Sequence, residues 1–195
     1  MTALNHSAGN WGSLRQGLTR LTGRSPNSWR KDVRGLASIE LAFIAGFLCY
    51  ALLNVTDVSL FLFDQLELNN ATQMGAQAAW VTCDLNHLPA TNKCPSMNGA
   101  ITTAVQSTSL GTNVTVSPGY PTEGYYCVNG SGVLTWVSDV NSPPNDCSGA
   151  GNAGTIPHDY VRIQSTYTYA PLFPGLSVGS ALPTAITATS WVRLG

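Results

Sequence analysis

Hydrophobic and polar positions divide this chain sharply. Residues 1–35 are polar, carrying Ser, Asn, Gly, Thr and Arg with little periodicity. An apolar run begins at Leu36: Leu41–Thr56 holds no charged residue, and Leu36–Asp57 counts 22 positions. A helix crossing about 30 Å of hydrocarbon needs about 20 residues at about 1.5 Å each. The pattern therefore predicts a transmembrane helix over 36–57, with Asn54 and Thr56 at the far interface. No proline interrupts residues 36–88, and Leu60, Phe61, Leu62, Phe63, Leu66 and Leu68 keep the following stretch apolar. The helix is expected to run on to about Val81, as an extramembrane continuation over 58–82.

Spacing within this helix assigns its faces. Asp57 and Asp64 are seven apart and share a face at 3.6 residues per turn. Ala71, Gly75 and Ala79 follow at intervals of four, a small-residue stripe that lets another element approach the backbone closely and is expected to dock the globular domain. Ser38, Ala42 and Gly46 repeat that spacing within the membrane.

Past Trp80 the periodicity turns to strands. Tyr160–Ala170 alternates, with Val161, Ile163, Ser165, Tyr167 and Tyr169 on one face and Arg162, Gln164, Thr166 and Thr168 on the other. Tyr125–Val128 and Val133–Val137 flank Asn129-Gly130-Ser131-Gly132, a hairpin signal. Thr112–Ser117 alternates weakly, Ala185–Leu194 reads as a closing strand, and residues 98–110 predict a short helix before Gly111. Asn141–Thr155 is rich in Pro, Gly, Ser and Asn and predicts an exposed loop. The expected fold class is α+β: a long N-terminal hydrophobic helix, with a small antiparallel sheet packed on its C-terminal half to bury both apolar faces.

Charge adds orientation. Only 10% of residues are charged, against roughly 25% in an average soluble domain. Arg15, Arg20, Arg24, Arg30, Lys31 and Arg34 precede the apolar run, whereas only Lys93, Arg162 and Arg193 follow it. Lysine and arginine beside a span stay on the cytoplasmic side, so the N-terminus is expected inside and residues 83–195 outside, in a periplasm. Nucleic-acid binding is the weaker reading of the basic segment, which has no reading element and ends at an apolar run. Residues 1–35 resemble the n-region of a targeting signal, but are long and lack a small-residue cleavage site after the apolar run.

Glu40 is the anomaly. An acid within a span costs on the order of 2–4 kcal/mol and usually has a partner and a role. It lies five residues beyond Gly35. A cut after Gly35 gives Leu36 a free α-ammonium, which a carboxylate on the same helix or the next subunit would pair with; the alternative is that Glu40 reaches back to the cytoplasmic headgroups, and both can hold at different stages, before and after assembly.

Gly35 and Glu40, between a basic leader and an apolar helix, resemble the leader of type IV pilins and pseudopilins that a prepilin peptidase removes. Asp57-Val58-Ser59 and Leu66-Glu67-Leu68-Asn69-Asn70-Ala71-Thr72-Gln73-Met74-Gly75-Ala76-Gln77-Ala78-Ala79 resemble the TadE-like family of tight-adherence pili, as does Tyr167–Gly175 with a last Thr- and Ala-rich strand. Leu41, Ser59 and Gln73-Met74 depart from that family's pattern. The resemblance implies a pilin-like, non-enzymatic subunit with a leader, 1–35, removed between Gly35 and Leu36. It implies as partners the prepilin peptidase, other pilin subunits, the inner-membrane assembly platform and membrane lipid, with roles in fibre initiation, tip formation or adhesion. An inner-membrane scaffold that never enters the fibre is the alternative.

The cysteines fit an exported domain. Cys83, Cys94, Cys127 and Cys147 lie beyond the span, an even number that implies disulfides. Four allow three pairings; the two sequential loops, Cys83–Cys94 and Cys127–Cys147, are expected, each contributing around 3 kcal/mol in the chain-entropy model. Zinc is disfavoured, since neither C-x-x-C spacing nor a nearby histidine pair is present. Cys49 within the span reads as apolar filler. Catalytic chemistry is thin: His158-Asp159 with Ser165 is a conceivable set without a nucleophile elbow, and no phosphate loop, dinucleotide fingerprint or cofactor motif is present. Tyr120, Tyr125, Tyr126, Trp136 and Tyr160 suit an adhesive patch or, more simply, sheet packing.

Overall fold

The computed structural model describes residues 33–83 and 85–195, with side chains from Ser38 to Cys83 and from Asn86 onward. The expected leader therefore lies outside the described residues except for its last three, which are helical. These residues fall into two compact units divided between Leu48 and Cys49.

Helix α1 spans Val33–Thr82 and is long and apolar enough to cross a membrane. In the first unit its side chains from Ser38 to Leu48 are exposed, including Ile39, Leu41, Phe43, Ile44 and Phe47. Apolar side chains open on all sides are what a membrane helix presents to lipid.

In the second unit, the rest of α1 contributes buried residues to the core of a small α+β domain. Two further helices, α2 (Ala90–Lys93) and α3 (Met97–Val105), lead into an antiparallel sheet of β1 (Val114–Val116), β2 (Thr122–Val128), β3 (Leu134–Asp139), β4 (His158–Thr168) and β5 (Ala185–Arg193). β4 is the longest strand. It pairs with β5 along one edge, and with β1 and β2 end to end along the other, while β3 closes the far side of β2.

The alternation along β4 decides which face is inside. Asp159, Val161, Ile163 and Ser165 are buried, and Val161 and Ile163 join Leu68, Ala71, Ala76 and Ala79 of α1 in one core. Helix α3 completes it with Met97, Ile101 and Val105, four apart and so on one face. Asn129 organises the β2–β3 turn by accepting, through Oδ1, the N–H groups of Ser131 and Val133, both at 2.9 Å. The sheet, the hairpin and α3 thus occupy the stretches that the pattern predicts. The helix α2 and the seating of the β4–β5 loop on α1 have no counterpart in that pattern.

Candidate functional site

Three features of α1 bear on function, taken from the N-terminus. The expected cleavage residues Gly35 and Leu36 lie in helical backbone, and their side chains are outside the described residues. Glu40, the expected assembly charge, is exposed among apolar neighbours. It forms no ion pair among the described residues.

The second feature is Asp57. It is fully buried, although it stands in an apolar helix. The loop between β4 and β5 wraps its carboxylate: Oδ1 accepts from Leu172 N at 2.9 Å, and Oδ2 accepts from Phe173 N at 3.3 Å and from the Ser177 hydroxyl. The Asp57 carbonyl accepts from the Tyr169 hydroxyl at 3.0 Å, and the Tyr169 ring stands edge-on to Phe61, 5.2 Å between centroids. One turn earlier, Asn54 Oδ1 accepts from Val178 N at 2.7 Å. Gly179 permits the close approach, because a Cβ there would stand 2.8 Å from Asp57 Oδ2. A buried acceptor with this many donors fixes a single register between loop and helix, since an unmade bond at such a site costs about 1–3 kcal/mol. Asp57 and the Tyr167–Gly175 stretch are both conspicuous in the sequence. Their separation of more than a hundred positions hides that each is the other's partner.

The third feature is the outer stripe. Ala71, Gly75 and Ala79 are all buried, and α3 packs on Gly75: a Cβ there would meet Val105 Cγ2 at 2.7 Å and Ile101 Cγ2 at 3.4 Å. The element packed there is a helix. By contrast, a Cβ on Gly46 would meet nothing within 4 Å.

Disulfides tie the domain together. Cys83 is bonded to Cys94, which fastens the end of α1 to the segment carrying α2, and Cys127 is bonded to Cys147, which pins the 141–155 loop to β2. Cys49 is free and exposed on α1. Glu123 of β2 accepts from the N–H groups of Ala90 and Thr91 at 2.6 and 2.7 Å, holding the start of α2. Beside it lies Asp159, buried on β4, with Oδ1 lacking any hydrogen-bond partner. Burial first, then the Glu123 carboxylate, push the Asp159 carboxyl up to about 7.

The conceivable catalytic set is not assembled. His158 and Ser165 are seven positions apart on β4, so they face opposite sides of the sheet and stand roughly 23 Å apart along the strand. Burial, then the positive charge of Arg193, hold His158 below its ordinary value. It lines a shallow pocket of about 200 Å³ with Tyr126, Leu134, Asn152 and Tyr160. On the sheet face away from α1, Tyr126 meets Tyr160 and Trp191 edge-on, and the Arg162 guanidinium lies 5.4 Å from the Tyr120 ring centre and 5.0 Å from that of Trp191. These aromatics pack on one another and on Arg162. No group of three or more potential metal ligands occurs among the described residues.

Compared with family models, with curated proteins and with solved structures, the chain has no match.

Proposed function

We propose that this chain is a minor pilin or pseudopilin of a tight-adherence pilus, resembling the TadE-like family and acting without catalysis. The observation that carries the reading is the division of labour within α1. Its N-terminal part exposes apolar side chains around a single acid, Glu40, while its C-terminal part is the core of a disulfide-bonded domain. A bare apolar rod suits first a bilayer and then a bundle of like helices; a domain built on the same helix is carried wherever the rod goes. In this reading the prepilin peptidase cuts between Gly35 and Leu36, and residues 36–57 hold the protein in the inner membrane with its domain in the periplasm. Glu40 then pairs with the new ammonium of a neighbouring subunit, and the assembly platform moves the subunit into the base or tip of the fibre.

A scaffold that stays in the membrane is the second reading. Asn70, Gln73 and Gln77 are exposed on α1 beyond the apolar stretch, and polar side chains there suit contact with water or a polar partner better than helix-on-helix packing.

Mass spectrometry of protein from cells with and without the peptidase tests the first reading. It expects a mature chain beginning at Leu36 only when the peptidase is present, and found in sheared fibres. A chain retaining residues 1–35 in both strains refutes the cleavage. A chain cut at Leu36 but confined to membranes selects the scaffold.

A further inference from the structure

We propose that the loop joining β4 to β5 is a second membrane contact, lying on the outer leaflet with its apolar side chains at the boundary between headgroups and acyl chains. The proposal rests on the reading of α1 as a span.

Four observations converge on it. First, the loop is fastened to α1 at one level, through Asn54 to Val178 and through Asp57 to Leu172, Phe173 and Ser177. Counted from Leu36, the roughly 20 residues that cross the hydrocarbon end at Val55, so this is the level at which the helix leaves it. Second, the loop offers apolar side chains to the outside: Leu172, Leu176 and Val178 are 59%, 63% and 48% exposed. At the same level of α1, Leu52 and Val55 are likewise exposed, at 65% and 62%. Third, no charged residue occurs between Arg162 and Arg193, so nothing in the loop opposes contact with lipid. Fourth, exposed apolar residues on α1 continue through Leu60, Leu62 and Phe63 to Leu66 and give way to Asn69 and Asn70. Counted on from Val55 at about 1.5 Å per residue, the outer headgroup layer of about 5–8 Å covers about the next four or five residues. Asn54 and Asp57 then fall at the inner edge of the outer headgroup layer, and the loop with them.

The occupant is lipid, and the recognition is apolar. Without lysine or arginine in the loop, binding draws nothing from anionic headgroups and is indifferent to their fraction. The physical consequence is orientation. A domain held to the membrane only by a helix is free to tilt, whereas one that also rests an apolar loop on the surface keeps a fixed attitude, with the β2–β3 hairpin turned away.

The test uses the full chain in vesicles of phosphatidylethanolamine and phosphatidylglycerol. In a Cys49→Ser background, spin labels are placed one at a time at Leu176→Cys, at Phe47→Cys within the span and at Val133→Cys on the hairpin. Leu172→Cys serves as a second loop position. Collision with oxygen, which partitions into lipid, is compared with collision with a water-soluble nickel chelate. The expected result is an oxygen-to-chelate ratio several-fold higher at Phe47 and at both loop positions than at Val133, unchanged when phosphatidylglycerol is varied. If the loop labels behave like Val133 while Phe47 favours oxygen, the loop is in water and the proposal falls, with the anchor intact. If Phe47 also favours the chelate, the span reading fails and takes the loop with it. Loop labels shielded from both probes, with the shielding lost on dilution into more lipid, mean that a second copy covers the loop, which also overturns the lipid contact.

Discussion

At the scale of single residues, two buried carboxylates hold this domain in opposite ways. Asp57 is an acceptor that three donors of one loop converge upon. Replacing it by alanine strands those donors in a buried site, and Asp57→Ala is expected to cost about 3 kcal/mol. Thermal unfolding in detergent measures that loss, and faster proteolysis within 170–184 locates it. Asp57→Asn keeps one acceptor oxygen and should cost less. Asp159 has the reverse character: burial and the neighbouring Glu123 raise its carboxyl to about 7, from an ordinary 3.8. Between those values the folded chain holds a proton that the unfolded chain has released, so stability falls as pH rises from about 4 to about 7 and levels off above. Other acids work against this trend; Asp146, lowered chiefly by its hydrogen bond with Ser148, is one. The comparison is therefore between wild type and Asp159→Asn. Melting temperature from pH 4 to 8 should fall more steeply in wild type than in the variant, with the variant at no disadvantage above pH 7. Parallel curves would mean that Asp159 does not hold this proton.

At the scale of elements, the small-residue stripes of α1 make a paired prediction. Gly75 lies under α3, where a methyl group would press on the stiff side chain of Val105. Alanine gains about 0.5–1 kcal/mol over glycine within a helix, but overpacking costs typically 1–3 kcal/mol. Gly75→Ala is expected to lower the melting temperature of the isolated protein, and Gly75→Val to lower it further. Gly46→Ala meets nothing, so it should leave that temperature unchanged or raise it; a loss seen only in assembled fibres would reveal a second helix packed there. The elements differ in how openly the sequence declares them. β4 is legible because its alternation is written in its own residues, and β5 because Ile186, Thr187, Thr189 and Val192 favour extended backbone with no Gly or Pro among them. Helix α3 is legible from spacing. Helix α2, at four residues, is too short to show a period and is held by Glu123, thirty-three positions away from Ala90. The seat of Asp57 is hidden for the same reason: its donors are mostly backbone N–H groups, which every residue possesses and no side-chain pattern can advertise. The stripe of Ala71, Gly75 and Ala79 announces a close approach, while its occupant depends on how the chain returns.

At the scale of the whole molecule, the chemistry of Glu40 is the step on which fibre and anchor part. A carboxylate at the centre of a span costs about 2.5–3.5 kcal/mol on insertion scales, less near the interface. Glu40 is exposed, with no ion pair among the described residues to offset that cost. In an anchor this group carries a cost, and in the proposed fibre a positive partner would offset it. Glu40→Ala should therefore insert at least as well as wild type, and a peptidase that reads the Gly35–Leu36 junction should still process it. Removing a charge pair worth about 1.4–2.8 kcal/mol would lower incorporation into fibres about 10- to 100-fold. Quantifying the chain in sheared fibres and in membranes of the same cells separates the two effects. Glu40→Gln, which keeps hydrogen bonding and size but not charge, should resemble alanine if the partner is an ammonium. If both variants enter fibres at the wild-type level, the acid does not direct assembly, and the remaining explanation is an anchor whose Glu40 reaches back to the cytoplasmic headgroups.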